Sequence, residues 1–110
     1  MKDQKAELLQ GTLDLLILKL LGAGPANGWE MMQRIQVLSD DVLRVTPGSL
    51  YPALHRLEAR AWIRAEWGAS ERNRRAKFYE LTADGRARLE TERETWARFT
   101  GAVDAILRTS

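Results

Sequence analysis

Within TPGSLYPALHRLEARAWI, residues 46–63, a phenol, an imidazole and a carboxylate follow one another at Tyr51, His55 and Glu58. On a helix these positions fall near one side, so Tyr51 and His55 would be neighbours and Glu58 would orient the imidazole. Acid–base catalysis needs company: a nucleophile, a metal set or a phosphate-cradling loop beside the proton carrier. The chain has one histidine and no cysteine, and no such group accompanies the trio. The residues therefore argue against an enzyme. His55 reads equally well as an exposed helical residue or as a contact to a partner.

The other chemistry on offer is cationic. The formal net charge is only +2, but it is unevenly spread. Between Arg44 and Arg88 there are ten basic residues and five acidic ones, whereas the flanking segments are slightly acidic. The run RNRRAK supplies Arg72, Arg74, Arg75 and Lys77, and the helix-like stretch before it supplies Arg56. Positive charge gathered in the middle third points to a polyanionic partner.

The elements that must position these residues can be read from periodicity. A chain of 110 residues, 45% hydrophobic, fits one compact domain. A first helix is expected over about 10–21, with Leu9, Leu13, Leu16, Ile17 and Leu20 on one face. Further apolar residues at Leu15, Leu18 and Leu21 place it centrally in the core. GAGPANG stops it, and a second helix follows over about 29–38. A short extended piece at 42–45 leads into the segment quoted above. WIRAEW and KFYEL alternate like strands and are separated by the polar GASERNRRA, so they read as a long-looped hairpin. Thr82 is a plausible N-cap for a last helix over about 83–107, despite Gly85 near its start. The apolar run LDLLILKLL is about half a membrane span and contains Asp14 and Lys19. The opening residues mix Lys2 and Lys5 with Asp3 and Glu7, which is no secretory pattern. The expectation is a soluble, cytoplasmic protein without metal or cofactor.

Leu50, Leu54, Leu57 and Ala61 form one stripe of the third helix, so Ser49, Pro52, Arg56, Ala59 and Arg60 should point away from it. Tyr51 and Glu58 flank the stripe, and His55 lies toward the outer face. Proline is tolerated in a first turn, where its missing N–H is unpaired anyway, so Pro52 places the N-cap near Gly48 or Ser49. The free N–H groups of that end would make a natural phosphate contact.

With its element order, PGSLYPALHRLEARAWI followed by RNRRAKFYELTADGRARL resembles the winged helix-turn-helix of PadR-type transcriptional regulators. The resemblance runs from about Leu8 through the last helix, in the compact form with a single C-terminal helix. It implies a mainly α fold with a small β-hairpin: a DNA-binding unit over 1–81 and a dimerisation helix over 82–110. It departs from the family pattern at Ala61 and Trp62, where glycine and an aliphatic residue are usual. The function implied is sequence-specific DNA binding by a homodimeric repressor on a pseudo-palindromic operator, with relief by a small-molecule effector left open. Ser49, Tyr51, Pro52, His55 and Arg56 would face DNA on the recognition helix, and Arg72, Arg74, Arg75 and Lys77 on the wing. Arg56 would hydrogen-bond a guanine edge, while the wing would reach phosphates or the adjacent minor groove and its cations would neutralise phosphates.

Leu89, Trp96, Phe99, Val103 and Ile106 follow a heptad broken at Glu92. The later members have too little chain left to cover them, so they should pair with a second copy. Trp96 reads as dimer packing, or as one wall of a site for a flat aromatic effector between subunits. Trp29 and Trp62 are expected to close the small core, and Trp67 to pack on the core or hairpin. Arg60, Arg64, Arg86 and Arg88 read as surface or ion-pair residues. The competing function is a winged-helix protein-interaction module that does not bind DNA.

Overall fold

The structure is a computed structural model that describes residues 9–110. Lys2, Asp3, Lys5 and Glu7, with the rest of the opening of the expected 1–81 unit, lie outside the described residues. The order is α1 (Gln10–Gly22), β1 (Ala26–Asn27), α2 (Gly28–Leu38), α3 (Pro47–Ala59), β2 (Ile63–Ala69), β3 (Arg75–Leu81) and α4 (Ala83–Leu107). It is the mainly α architecture with a hairpin that the periodicity predicts, plus one strand more.

α1 is the hub of the core. Leu13, Ile17, Leu18, Leu20 and Leu21 are buried, so it packs on several sides at once. It meets α2, α3, α4 and β3. Leu9 and Leu16, expected on its packed face, are exposed and half-buried respectively. α2 starts on a capping box: the Asn27 side chain accepts from the Glu30 N–H at 2.8 Å, and the Glu30 carboxylate accepts from the Asn27 N–H at 2.9 Å. The expected extended piece at 42–45 is irregular chain with an isolated bridge at Leu43.

The sheet has three antiparallel strands in the order β1-β3-β2. Ala26 pairs with Tyr79 and Asn27 with Phe78, which adds β1 to the outer edge of the hairpin. β2 and β3 pair from Ile63↔Leu81 out to Ala69↔Arg75. Gly68, Ala69, Arg75 and Ala76 therefore belong to the ladder, and the connecting loop is shorter than the polar segment had implied.

α3 ends in a glycine-type cap made without glycine. Trp62 N–H donates to the Leu57 carbonyl and Ala61 N–H to the Glu58 carbonyl, with Ala61 at φ 62°. α4 is docked on this turn. Thr82 caps it by accepting from the Gly85 N–H at 3.0 Å, and its hydroxyl donates to the Ala61 carbonyl at 2.6 Å. Gly85 is required there, since a Cβ would run into the Trp62 carbonyl oxygen. The helix-weakening glycine is a contact point.

Candidate nucleic-acid interface

α3 begins earlier than the position of Pro52 implied. Thr46 is the N-cap, accepting from the Ser49 N–H at 3.3 Å, and Pro47 opens the helix. Pro52 thus sits in the second turn, where it withholds an N–H from the Gly48 carbonyl. Both residues are exposed, so solvent can take the lost bond. Ser49, Pro52 and His55 form an uncovered face at this end of the helix.

The buried stripe of α3 is Leu50, Ala53, Leu54 and Leu57; Ala61, its expected last member, is exposed in the turn. Tyr51 leans along the flank. Its hydroxyl lies over Gly28 so closely that a Cβ there would stand 2.5 Å away. Tyr51 and Glu58 also act on Tyr79 of β3, whose phenol is pushed above its usual range, first by burial and then by these two groups. Tyr79 therefore faces α3, and the strand alternation carries Lys77 and Arg75 onto the same face.

Arg56 does not follow the helical-wheel expectation. Its Nη2 donates to Asp14 Oδ1 at 3.0 Å, which turns the guanidinium toward α1 and away from the open face. Its buried Nε has no partner among the described residues. Burial raises the Asp14 carboxyl above 3.8, against the opposing pull of the Arg56 hydrogen bond. Wheel geometry gives a direction for Cβ; a six-atom side chain can still bend toward a carboxylate on a neighbouring helix.

The wing cations divide into two groups. Arg72 and Arg74 are exposed in the loop, where Asn73 takes φ 56°. Arg75 lies over the Trp67 ring at 4.4 Å and Lys77 over Tyr79 at 5.7 Å. Trp67, Lys77 and Arg75 share the face that includes Tyr79, and no carboxylate of β2 or β3 is on it. The opposite face carries Arg64, Glu66 and Glu80, with Arg64 and Glu80 paired at 3.4 Å. Positive charge is therefore sorted to the α3 side of the hairpin. The clustered bases of the sequence announced a cationic loop, whereas the sorting needs the register.

The remaining expectations are mixed. Trp29 does not close the core; it is 59% exposed on α2. Its place beside the Asn27 cap turns it outward, while Met31 and Ile35 fill the interior. Trp62 is half-buried between the guanidinium groups of Arg60 and Arg88, at 5.1 and 4.7 Å from its centroid. Arg88 also pairs with Glu92, the residue that breaks the heptad, at 2.6 Å. Leu89, expected at a dimer interface, belongs to the chain's own core: it is buried and packed against Gly22. Trp96, Phe99, Val103 and Ile106 are exposed, and the Trp96 and Phe99 rings lie 6.1 Å apart. No group of three or more metal-ligating side chains occurs among the described residues, and no described helix is long and apolar enough to cross a membrane.

A model of the PadR-like family of transcriptional regulators matches residues 17–91. A PadR-like transcriptional regulator from Bacillus cereus superposes with a TM-score of 0.81 at 25% identity, covering 96% of this chain and 100% of that one. A transcriptional regulator from Clostridium thermocellum gives a TM-score of 0.82 at 25% identity, over 90% of this chain and 96% of that one. A transcriptional regulator from Mycobacterium tuberculosis is 43% identical over 58 residues, which is 53% of each chain. The shared architecture is a winged helix-turn-helix, with β2–β3 as the wing, followed by a long helix.

Proposed function

The chain belongs to the PadR-like family of transcriptional regulators, and we propose that it works as a homodimeric repressor that reads double-stranded DNA. Residues up to 81 would contact DNA and α4 would join the subunits, within one compact unit. The observation that carries this reading is the sorting of charge. Arg75 and Lys77 share the wing face of Tyr79, on which Tyr51 and Glu58 of α3 act, while Glu66 and Glu80 lie on the other face; Arg72 and Arg74 add charge from the loop, and Ser49, Pro52 and His55 leave one end of α3 open.

The parts have different tasks. Ser49, Pro52 and His55 present the base-reading edge of α3, where a proline permits close approach, and Tyr51 borders that edge with its phenol turned over Gly28. Arg72 and Arg74 neutralise phosphates. Arg56 serves by tying α3 to α1 through Asp14 and so fixing the pitch of the recognition helix. The base-contact role goes to the residues that are free to meet DNA.

Dimerisation rests on the exposed apolar stripe of α4. Two recognition helices on a two-fold axis would then read half-sites about 34 Å apart. Trp96 and Phe99 on that stripe offer a flat aromatic surface to an effector held between subunits. A panel of planar aromatics that leaves tryptophan emission unchanged would remove the effector from this account.

The test is selection of bound sequences from random DNA by the full chain, followed by affinity on the winner at several salt concentrations. A pseudo-palindrome is expected, with affinity falling by about 0.9 log units per phosphate contact for each log unit of salt. Arg72→Ala with Arg74→Ala should flatten that dependence by about two contacts. Enrichment of no sequence, with weak salt-insensitive binding, would favour a protein-interaction module.

A further inference from the structure

Trp67 is a large aromatic residue that the wing leaves in solvent. It is 56% exposed, it lies beyond the core, and its ring is not inserted among the buried residues. Lys77 is its cross-strand partner, and Arg75 reaches diagonally across the ladder to lie over its ring at 4.4 Å. This is a flat apolar plate with a planar cation stacked on it, on the same face as Tyr79 and the flank of α3.

Such a pair is poorly suited to a bare phosphate contact. A phosphate needs charge and donors, which Arg72 and Arg74 already give from the loop, and an indole beside it would only shed water. The walls of a minor groove are deoxyribose C–H groups, which match an indole, and a narrow A·T groove has the deepest negative potential for a guanidinium. Arginine's planar fork loses less freedom when it is held in place beforehand. Stacking on Trp67 does that, because the face of the indole attracts the cation laid over it.

We propose that Trp67 is a positioning residue for DNA recognition: it holds Arg75 in the orientation that enters a narrow minor groove, and thereby makes the protein prefer A·T-rich flanks beside its major-groove sites. The inference rests on DNA binding as proposed above and adds a source of specificity within the wing. Arg75 provides the charge and the groove contact; Trp67 acts through it and against the sugar wall.

The experiment uses the full chain and the sequence selected by the wild type, prepared with A·T and with G·C base pairs in the flanks facing the wing. The wild type should prefer the A·T version by about fivefold. Trp67→Ala should reduce that ratio to near one, Trp67→Phe should restore most of it, and the salt dependence should be unchanged in both. Arg75→Lys keeps the charge and gives up the planar fork, so it should lose the ratio while keeping the salt slope. Thermal melting of each variant checks the fold, and the exposure of Trp67 makes a large stability loss unexpected. A ratio unaltered in Trp67→Ala, or equal losses on both flanks, overturns the inference and leaves DNA binding standing. A wild-type chain that binds no DNA overturns both.

Discussion

Nη2 of Arg56, in α3, donates to Oδ1 of Asp14, in α1, across 3.0 Å. The two residues are 42 positions apart in sequence. Their pairing makes the orientation of α3 depend on α1, which is itself packed against α4. One ion pair thus links the surface proposed to read DNA to the helix proposed to join subunits.

The Asp14 carboxyl gives this link a pH dependence of defined sign. Burial raises its folded value above the ordinary 3.8, and Arg56 offsets that only in part. In the window from 3.8 up to the raised value the folded state binds more protons than the unfolded state. Stability contributed by this group is therefore gained as pH falls through the window and lost as it rises. Asp14→Asn cannot titrate. The stability of the wild type relative to Asp14→Asn should accordingly increase between neutral pH and pH 4, measured by urea unfolding. An identical difference at both values would show that Asp14 does not titrate with folding.

Ala61 is a residue in a glycine position. At φ 62° it pays about 1–2 kcal/mol for its Cβ, while both cap hydrogen bonds of α3 are made. Ala61→Gly relieves that strain and costs some unfolded-state entropy in return. The net expectation is a gain of about 1 kcal/mol, read as a higher urea midpoint at unchanged slope. A lower midpoint would mean that the turn uses the methyl group.

The two glycines of α4 should respond oppositely. Gly85→Ala drives a methyl group into the Trp62 carbonyl and should cost about 3 kcal/mol through displacement of the helix start. Gly101 has nothing within 4 Å of a modest Cβ and lies off the apolar stripe, so Gly101→Ala should gain about 1 kcal/mol from helix propensity. Paired thermal melts decide it. Equal changes would mean that neither glycine is distinguished by its surroundings.

What the sequence revealed depends on the range of the signal. α1, α2 and α4 show apolar residues at helical spacing, and Thr82 is a local cap, so these elements were readable within a residue or so. β1 has two residues and no alternation, and its pairing with Tyr79 is set by the sheet. The start of α3 is not where Pro52 alone points: Thr46 and Pro47 supply the cap and the opening proline, and Pro52 falls in the second turn. Asn27 and Glu30 had the spacing of a capping box and could have fixed α2 from sequence alone. The direction of Arg56, the loss of Leu89 to the subunit core and the stacking of Arg75 on Trp67 all depend on long-range packing. For the candidate site, residue types were legible and directions were not.

The proposed dimer makes a sharp demand on Phe99. It is 60% exposed, ten residues beyond the last buried leucine of α4, and it pairs with Trp96. Leu89 and the Thr82–Ala61 contact anchor the first half of the helix, so a charge at position 99 leaves the subunit's own core intact. Phe99→Arg brings two like charges into a shared apolar seam and buries neither with a partner. Sedimentation should find the variant monomeric where the wild type is dimeric, with little loss of helicity. Affinity for the full palindrome should fall at least about tenfold, because the second half-site is no longer tethered. Affinity for a single half-site should stay the same, since α3 and the wing are untouched. A variant that remains dimeric would move the interface off this stripe, and one that loses half-site binding as well would show that α4 supports the DNA-reading surface directly.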